Sequence, residues 1–473
     1  MIPIALFGII LVALLLYGWM PARQAMLAVM LGAAMFLPNT GYQVPLLRQY
    51  DKFNSASLSV LLAILLLDFD RLKRFRFHWI DIPMALWCLC PLISSLTNDL
   101  GIYDGLAEAD GQFIQWGLPY LIGRFYFMET GSLDDLASAL LKAGLILMPL
   151  CLVEIAKGPL FHVKVYDFYP HNYWEQFRYG GWRPSVFFMH GLWLGWFMTV
   201  ATLAGLFIWR TGRPRAIFHL PVRYVTPVLF VVTVYCKSTG ALTLLGLGLV
   251  VLWAGQFRKV LLALLIVSPL IYVGLRVTQT WSGEHLVSLA TSSLGEDRAS
   301  SLSARFDLED LIIGRAMLRP WFGWGGWNRS LVGTTAWTEG VWTQEIGRHG
   351  LLGVLVWMGS LLLPAGLFWW RFRHRLNRLD ASTAAPIFMI TLGPLLTIYY
   401  LTVLDFSSYN PMMLGALASA AVATPMTLPV LAGVVRRGVY RRRPQPLRPG
   451  NSNPRSVEAS RPAGRRDGAP HAS

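Results

Sequence analysis

The chain has 473 residues, of which 54% are hydrophobic and only 14% charged. A water-soluble domain carries about a quarter charged residues, so this composition excludes an ordinary soluble enzyme and describes a chain whose solvent is lipid. The net charge of +15 raises nucleic-acid binding, but ten arginines fall in the tail from Arg436 onward against Glu458 and Asp467, and the other basic clusters occupy short loops between apolar blocks. That distribution is the mark of the positive-inside rule and not of a phosphate groove.

In chain order, apolar blocks occur at about 2–19, 24–38, 56–69, 79–96, 112–127, 137–156, 186–209, 224–236, 240–256, 260–275, 349–370, 386–404 and 411–434. These lengths approach or reach what a helix needs to cross a bilayer. The expected fold is an all-α polytopic membrane protein of about 12–13 transmembrane helices with one long periplasmic loop. The nineteen Trp and seventeen Tyr suit interfacial belts. The first block lacks a basic leader and a small-residue exit, so it reads as a retained helix. Cys88, Cys90, Cys151 and Cys236 all fall within blocks and read as small buried hydrophobes.

Lys/Arg clusters lie at 71–76, 210–223, 258–259, 371–378 and 436–443. Assigning all of them to the cytoplasm alternates correctly through the blocks, with the C-terminus inside and the N-terminus outside. Residues 1–435 then form the transmembrane domain, and 436–473 a basic, Pro/Gly/Ser-rich cytoplasmic tail expected to be disordered. Three polar loops face outward, at 97–111, 157–185 and 276–348, together with the hairpin tip Lys237-Ser-Thr-Gly240. Inside the longest loop, Ser303 to Arg319 reads as a surface helix with acids early and arginines late. Pro320 ends it, and Gly323-Trp-Gly-Gly326 follows as a turn.

The outward cations are Arg183, Arg298, Arg305 and Lys237. An arginine fork donates paired hydrogen bonds to phosphate and stays charged, which suits a lipid-linked pyrophosphate; snorkelling to headgroups is the plainer reading. His190 enters an apolar block seven residues after Arg183, about two helical turns, and is a candidate base, as is Glu339 among tryptophans. Glu345 and His349 are weaker candidates of the same kind. Arg124 reads as an anchor at a span end. Asp68-Phe-Asp70 is neutralised by Arg71 to Arg74, which fits a capped span end better than a cation site. No outward metal-ligand spacing and no phosphate-cradling ATP loop stand out, so neither a metal nor a cofactor is expected.

Three stretches, in this order, carry a resemblance: Arg183-Pro-Ser-Val-Phe-Phe-Met-His190, then Arg305 through Arg319-Pro-Trp-Phe-Gly-Trp-Gly325, then Gly350-Leu-Leu-Gly353. Over roughly residues 115–405 the chain resembles the O-antigen ligase/polymerase family of bacterial polysaccharide assembly proteins, nearer its exopolysaccharide-polymerase-like members. The resemblance implies a metal-independent, inverting glycosyltransferase that moves a glycan from an undecaprenyl-pyrophosphate donor to an acceptor sugar hydroxyl. Arg183, Arg305, Lys237 and Arg298 would bind the pyrophosphate, and Glu339 or His190 would take the proton. Two departures mark this chain. The family's His-Asn before the re-entry glycine falls on Glu339-Gly340, and its hairpin-tip Ser-Arg-Gly is Ser238-Thr-Gly240, with Lys237 the nearest cation. The expected partners are the lipid-linked donor, a glycan acceptor, membrane lipids and other assembly proteins, with no nucleic acid. A flippase for the same lipid-linked glycan and a non-catalytic assembly scaffold are the alternatives.

Overall fold

The computed structural model describes residues 1–44, 47–128, 132–212, 214–326, 328–331 and 340–423, the side chains of 47–49, 293–294 and 297–298 apart. The expected tail 436–473, Glu339 and the side chain of Arg298 therefore lie outside the described residues.

Over the described residues the apolar blocks fall mainly on helices. In order these are α1 (Ile2–Trp19), α2 (Ala22–Phe36), a hairpin of β1 (Gly41–Val44) and β2 (Leu47–Asp51), α3 (Lys52–Leu67), α4 (Phe69–Arg74), α5 (Ile82–Thr97), α6 (Ile102–Gln112), α7 (Leu118–Tyr126) and α8 (Ser132–Lys157). Then come α9 (Phe161–Tyr166), a small hairpin of β3 (Phe177–Arg178) and β4 (Gly181–Trp182), α10 (Gly191–Thr211), a second of β5 (Ala216–Ile217) and β6 (Leu220–Pro221), α11 (Val222–Tyr235), α12 (Thr239–Trp253) and α13 (Arg258–Val277). The remainder are α14 (Glu284–Leu294), α15 (Glu296–Ala316), α16 (Val341–Phe372), α17 (Ala384–Thr402) and α18 (Tyr409–Ala423). Among the described residues seven helices are long and apolar enough to cross a membrane, namely α1, α5, α8, α10, α13, α16 and α17; α2, α3, α11 and α12 are shorter apolar helices. The apolar windows of α10 and α17 are 94% and 89% buried, against 22% for α1 and 28% for α13, so the first two form the centre and the latter two the rim.

Two expectations about loops change. The acidic stretch 97–111 is mostly helical, because α6 runs through a π-helical turn at Phe113–Gly117 directly into α7. The longest loop is also largely helical, holding α14, α15 and the first turns of α16. Its surface helix starts at Glu296, not Ser303, and its buried face is Phe306, Ile312, Ile313 and Ala316, while Leu311 is exposed.

Lipid offers no partner for a backbone group, so helices that break must be repaired by other segments. Gly350 breaks α16 with φ 66° and ψ −159°. The turn 320–325 fills that break: Leu351 N donates to Pro320 O at 2.7 Å, Leu352 N to Trp321 O at 3.2 Å, Trp324 N to Gly347 O at 3.0 Å and Gly325 N to Arg348 O at 2.9 Å. A Cβ at Gly350 would meet the Pro320 and Trp321 carbonyls at 2.6 Å, so glycine serves both the positive φ and the close approach. Elsewhere α7 and α18 cross backbone to backbone, since a Cβ at Gly123 would strike the Met412 carbonyl and one at Gly415 the Tyr120 carbonyl. Small residues at such crossings let dispersion replace the hydrophobic drive that lipid removes.

The helix ends that carry the basic clusters bind one another, which defines a basic end of the bundle. Arg23 donates to Tyr126 O at 3.0 Å and pairs with Asp135 at 2.7 Å. Arg258 donates to Leu376 O at 3.0 Å, and Arg371 to Ala421 O at 2.6 Å. Asp68 and Asp70 are paired with Arg71 and Lys73 at 2.7 and 2.8 Å, in keeping with a capped span end. Arg124 is not a surface anchor: its side chain is 3% exposed and grips Asp81 through Nε at 2.7 Å and Nη2 at 3.0 Å, while Nη1 reaches Ser419. Removing one partner of a buried pair leaves the other charge uncompensated, which costs about 3–5 kcal/mol. Asp81→Ala is therefore expected to lower the thermal stability of the detergent-solubilised protein sharply, and Asp81→Leu with Arg124→Leu to recover most of the loss.

Candidate functional site

At the opposite end, a loop between α8 and α10 is seated on one carboxylate. Glu154, fully buried near the end of α8, accepts four backbone N–H groups. Its Oε1 takes Leu160 N at 2.9 Å and Phe161 N at 3.0 Å; its Oε2 takes Ser185 N at 2.9 Å and Val186 N at 2.7 Å. The second pair holds Val186 at φ 50°, a strained setting for a β-branched residue. Lys52, buried at the start of α3, adds a bond to Phe187 O at 2.9 Å, and Asn39 a second to the same oxygen at 2.6 Å. The segment 185–190 is thus fixed from below.

That segment brings Arg183 to His190, with Nη2 and Nε2 3.0 Å apart. The two do not share a helical face, contrary to what the seven-residue spacing suggests; residues 183–190 are non-helical and His190 caps α10, its Nδ1 accepting Leu192 N at 3.1 Å. Arg183 is fully buried and also donates from Nε to Gln176 Oε1 at 3.0 Å. A Cβ at Gly191 would meet the Arg183 side chain at 2.5 Å, so the residue after His190 must be small.

Cations surround this pair. His190 is pushed down to about 2, chiefly by burial and then by positive charge nearby, that of Arg183 first and those of Arg178 and Arg305 after it. It is therefore neutral, and a neutral imidazole offers one donor and one acceptor. Its Nδ1 accepts the Leu192 N–H, so the ring proton sits on Nε2, 3.0 Å from the Arg183 guanidinium, and neither nitrogen keeps a free lone pair. Lys237, at φ 49° on the tip between α11 and α12, points its ammonium at Arg178 O and Tyr179 O at 3.1 and 3.3 Å. It ties the β3–β4 turn to the tip, and the tip's Thr239 reaches Tyr179 at 3.0 Å.

Arg305 comes from α15, which is pinned to α13 by a second buried cation. Arg276 bonds Glu309 at 3.1 Å, Asp310 at 2.9 Å and Phe306 O at 2.9 Å, and Tyr272 adds a bond to Glu309 at 2.8 Å. Burial raises the Glu309 carboxyl above its usual range. Arg305 stands at the mouth of a largely apolar cavity of ≈ 500 Å³ that Tyr272, Ile312, Thr343, Ile398 and Leu401 also line.

Of the residues proposed from sequence, Arg183 contacts His190, Arg305 acts on that histidine through its charge, and Lys237 braces the same loop. Glu345 and His349 lie apart in α16, where Glu345 is buried, accepts Trp87 Nε1 at 2.8 Å and pairs with His349 Nδ1 at 2.8 Å. Sequence reasoning passed over Glu154, His171, Glu175 and Arg178. Their signals are a lone carboxylate in an apolar block and a His-x-x-x-Glu spacing. The latter matters for metal chemistry, since ligand atoms of His171, Glu175 and His190 lie within 4.8 Å of one another. The positive charges of Arg183, Arg178 and Arg305 felt at His190 oppose a dication there and favour an anion.

No known protein family's sequence profile matches the chain. No curated protein sequence matches it either.

Glu154→Gln would turn one oxygen into a donor facing two N–H groups. At about 1–3 kcal/mol for each orphaned group, it is expected to lower thermal stability and to increase proteolytic nicking within 157–190, measured side by side with wild type in one detergent.

Proposed function

We propose that this chain is a polytopic glycosyltransferase of the O-antigen ligase/polymerase kind. In this reading it lies in a bacterial inner membrane with about 12–13 spans, and it transfers a glycan from a polyprenyl-pyrophosphate donor to a sugar hydroxyl on the periplasmic side. The observation that carries the reading is the convergence of Arg183, Arg178 and Arg305, drawn from two separate loops, on a neutral histidine at the loop end of the bundle.

The chemistry follows from charge. As the acceptor oxygen bonds to the anomeric carbon, the bond from that carbon to the pyrophosphate oxygen breaks, and negative charge grows on the leaving pyrophosphate. Fixed cations aimed at that charge lower the barrier without reorganisation. Arg305, half-buried on α15 beside an apolar cavity, is the group best placed to hold the phosphates where the lipid enters. An anion bound there also offsets the cations that add to burial in keeping His190 neutral. Gathering of the Arg183, His190 and Arg178 cluster at the loop end supports transfer at one face, whereas a flippase needs polar groups along a path through the spans.

The test is a reconstituted assay with a lipid-linked oligosaccharide donor. Wild-type protein is expected to lengthen or transfer the glycan, and Arg305→Ala, inserted normally, to lose at least ~10-fold in rate, the worth of about 1.4 kcal/mol of lost transition-state contact. Movement of the donor across the bilayer without bond formation would refute the transferase reading.

A further inference from the structure

Transfer to a hydroxyl needs a base with a lone pair to spare, and His190 has none. Its Nδ1 accepts the Leu192 amide, and its Nε2, which lies against Arg183, then carries the ring proton. Its ring is also 9% exposed, out of reach of an incoming sugar. The neighbouring ring differs on each count. His171 meets His190 edge to face with centroids 4.7 Å apart, and its side chain is one-third exposed. Its Nδ1 lies 3.5 Å from Glu175 Oε2, and among the described residues no protein group bonds its Nε2. Glu175 is itself exposed and lies 3.7 Å from His190 Nε2. The 3₁₀ turn Tyr173–Gln176 sets the His-x-x-x-Glu pair on one side, and Gln176 in that turn is the same residue that receives Arg183. A carboxylate that orients an imidazole and steadies its cation, with the far nitrogen open, is the arrangement a general base requires.

We propose that His171, oriented by Glu175, accepts the proton of the acceptor hydroxyl, with His190 as the neutral partner that positions it against the arginine set. This rests on the transferase reading above. The hydroxyl proton passes to His171 Nε2 as its oxygen bonds to the anomeric carbon. The electron pair of the breaking carbon–oxygen bond leaves with the polyprenyl pyrophosphate beside the arginines. Glu175 stabilises the imidazolium, and the exposed ring returns the proton to water, so the cycle closes without a redox partner. Glu175 and His190 face His171 directly, and Arg183, Arg178 and Arg305 act on the same cluster.

The experiment uses full-length protein in nanodiscs with a lipid-linked oligosaccharide and reads donor binding and single-turnover bond formation separately. His171→Gln, on an exposed loop, is expected to bind donor within about threefold of wild type and to form bonds at least ~100-fold slower, the usual worth of a general base. Wild type is expected to lose kcat/KM toward acid and the His171→Gln variant not to, and Glu175→Gln is expected to show an intermediate loss of rate with donor binding kept. A wild-type rate in His171→Gln overturns the assignment while leaving the transferase reading intact, most decisively if Glu339→Gln alone abolishes bond formation. Wild-type protein that binds donor yet never forms a bond overturns the transferase reading and this inference together. Activity abolished by a chelator and restored by zinc overturns the base in favour of a metal held by His171, Glu175 and His190.

Discussion

The loop end of this bundle depends on one buried carboxylate. Glu154 sits in an apolar helix, where an ionised group without partners is costly, and the chain satisfies it with four backbone amides from two segments. That single requirement fixes where α9 begins and where the chain turns before α10. Arg183 and His190 flank the turn, so their 3.0 Å contact is inherited from Glu154 and not from helical spacing. The same logic recurs at α15, where Arg276 is buried and gathers Glu309, Asp310 and a backbone carbonyl. Buried charges thus act as the registration pins of a face built from loops, while apolar packing and small-residue crossings hold the spans.

What composition could reveal, it revealed well. Runs of apolar residues announce helices because lipid leaves few other options, and the clustered arginines marked one end of the bundle, as Arg23, Arg258 and Arg371 bear out by bonding across it. The polar regions were harder. Residues 102–112 look like an acidic loop, yet they are helical because Asp104 receives Arg329 at 3.0 Å and Gly326 approaches Glu108 within the reach of a Cβ. Hydropathy is blind to an acid whose partner lies more than two hundred residues away. The break at Gly350 was visible only as a motif, since its repair by Pro320 and Trp321 is a tertiary event.

The site was half legible. Arginines in outward loops could be named singly; Arg183 contacts His190, and Arg305 reaches it through its charge alone. The role of the histidine was not legible, because its burial and its two occupied nitrogens depend on folding. His171 and Glu175 carried an i, i+4 signal in a stretch without helical periodicity, where such spacing is easily passed over. Arg298 and Glu339 fall on side chains outside the described residues and keep their standing as proposals from sequence.

Taken together, the loop end is a basket of fixed cations around a neutral imidazole, opening beside an apolar cavity. Its central claim is that this basket recognises a pyrophosphate carried on a lipid. The most direct measurement is the affinity of the full-length protein in nanodiscs for a polyprenyl pyrophosphate, compared with the matching monophosphate and free alcohol, at low and high salt. The account predicts tightest binding to the pyrophosphate, weakened by salt, with the preference largely lost in Arg305→Ala. Equal affinity for all three lipids, unchanged by salt or by the substitution, would contradict it.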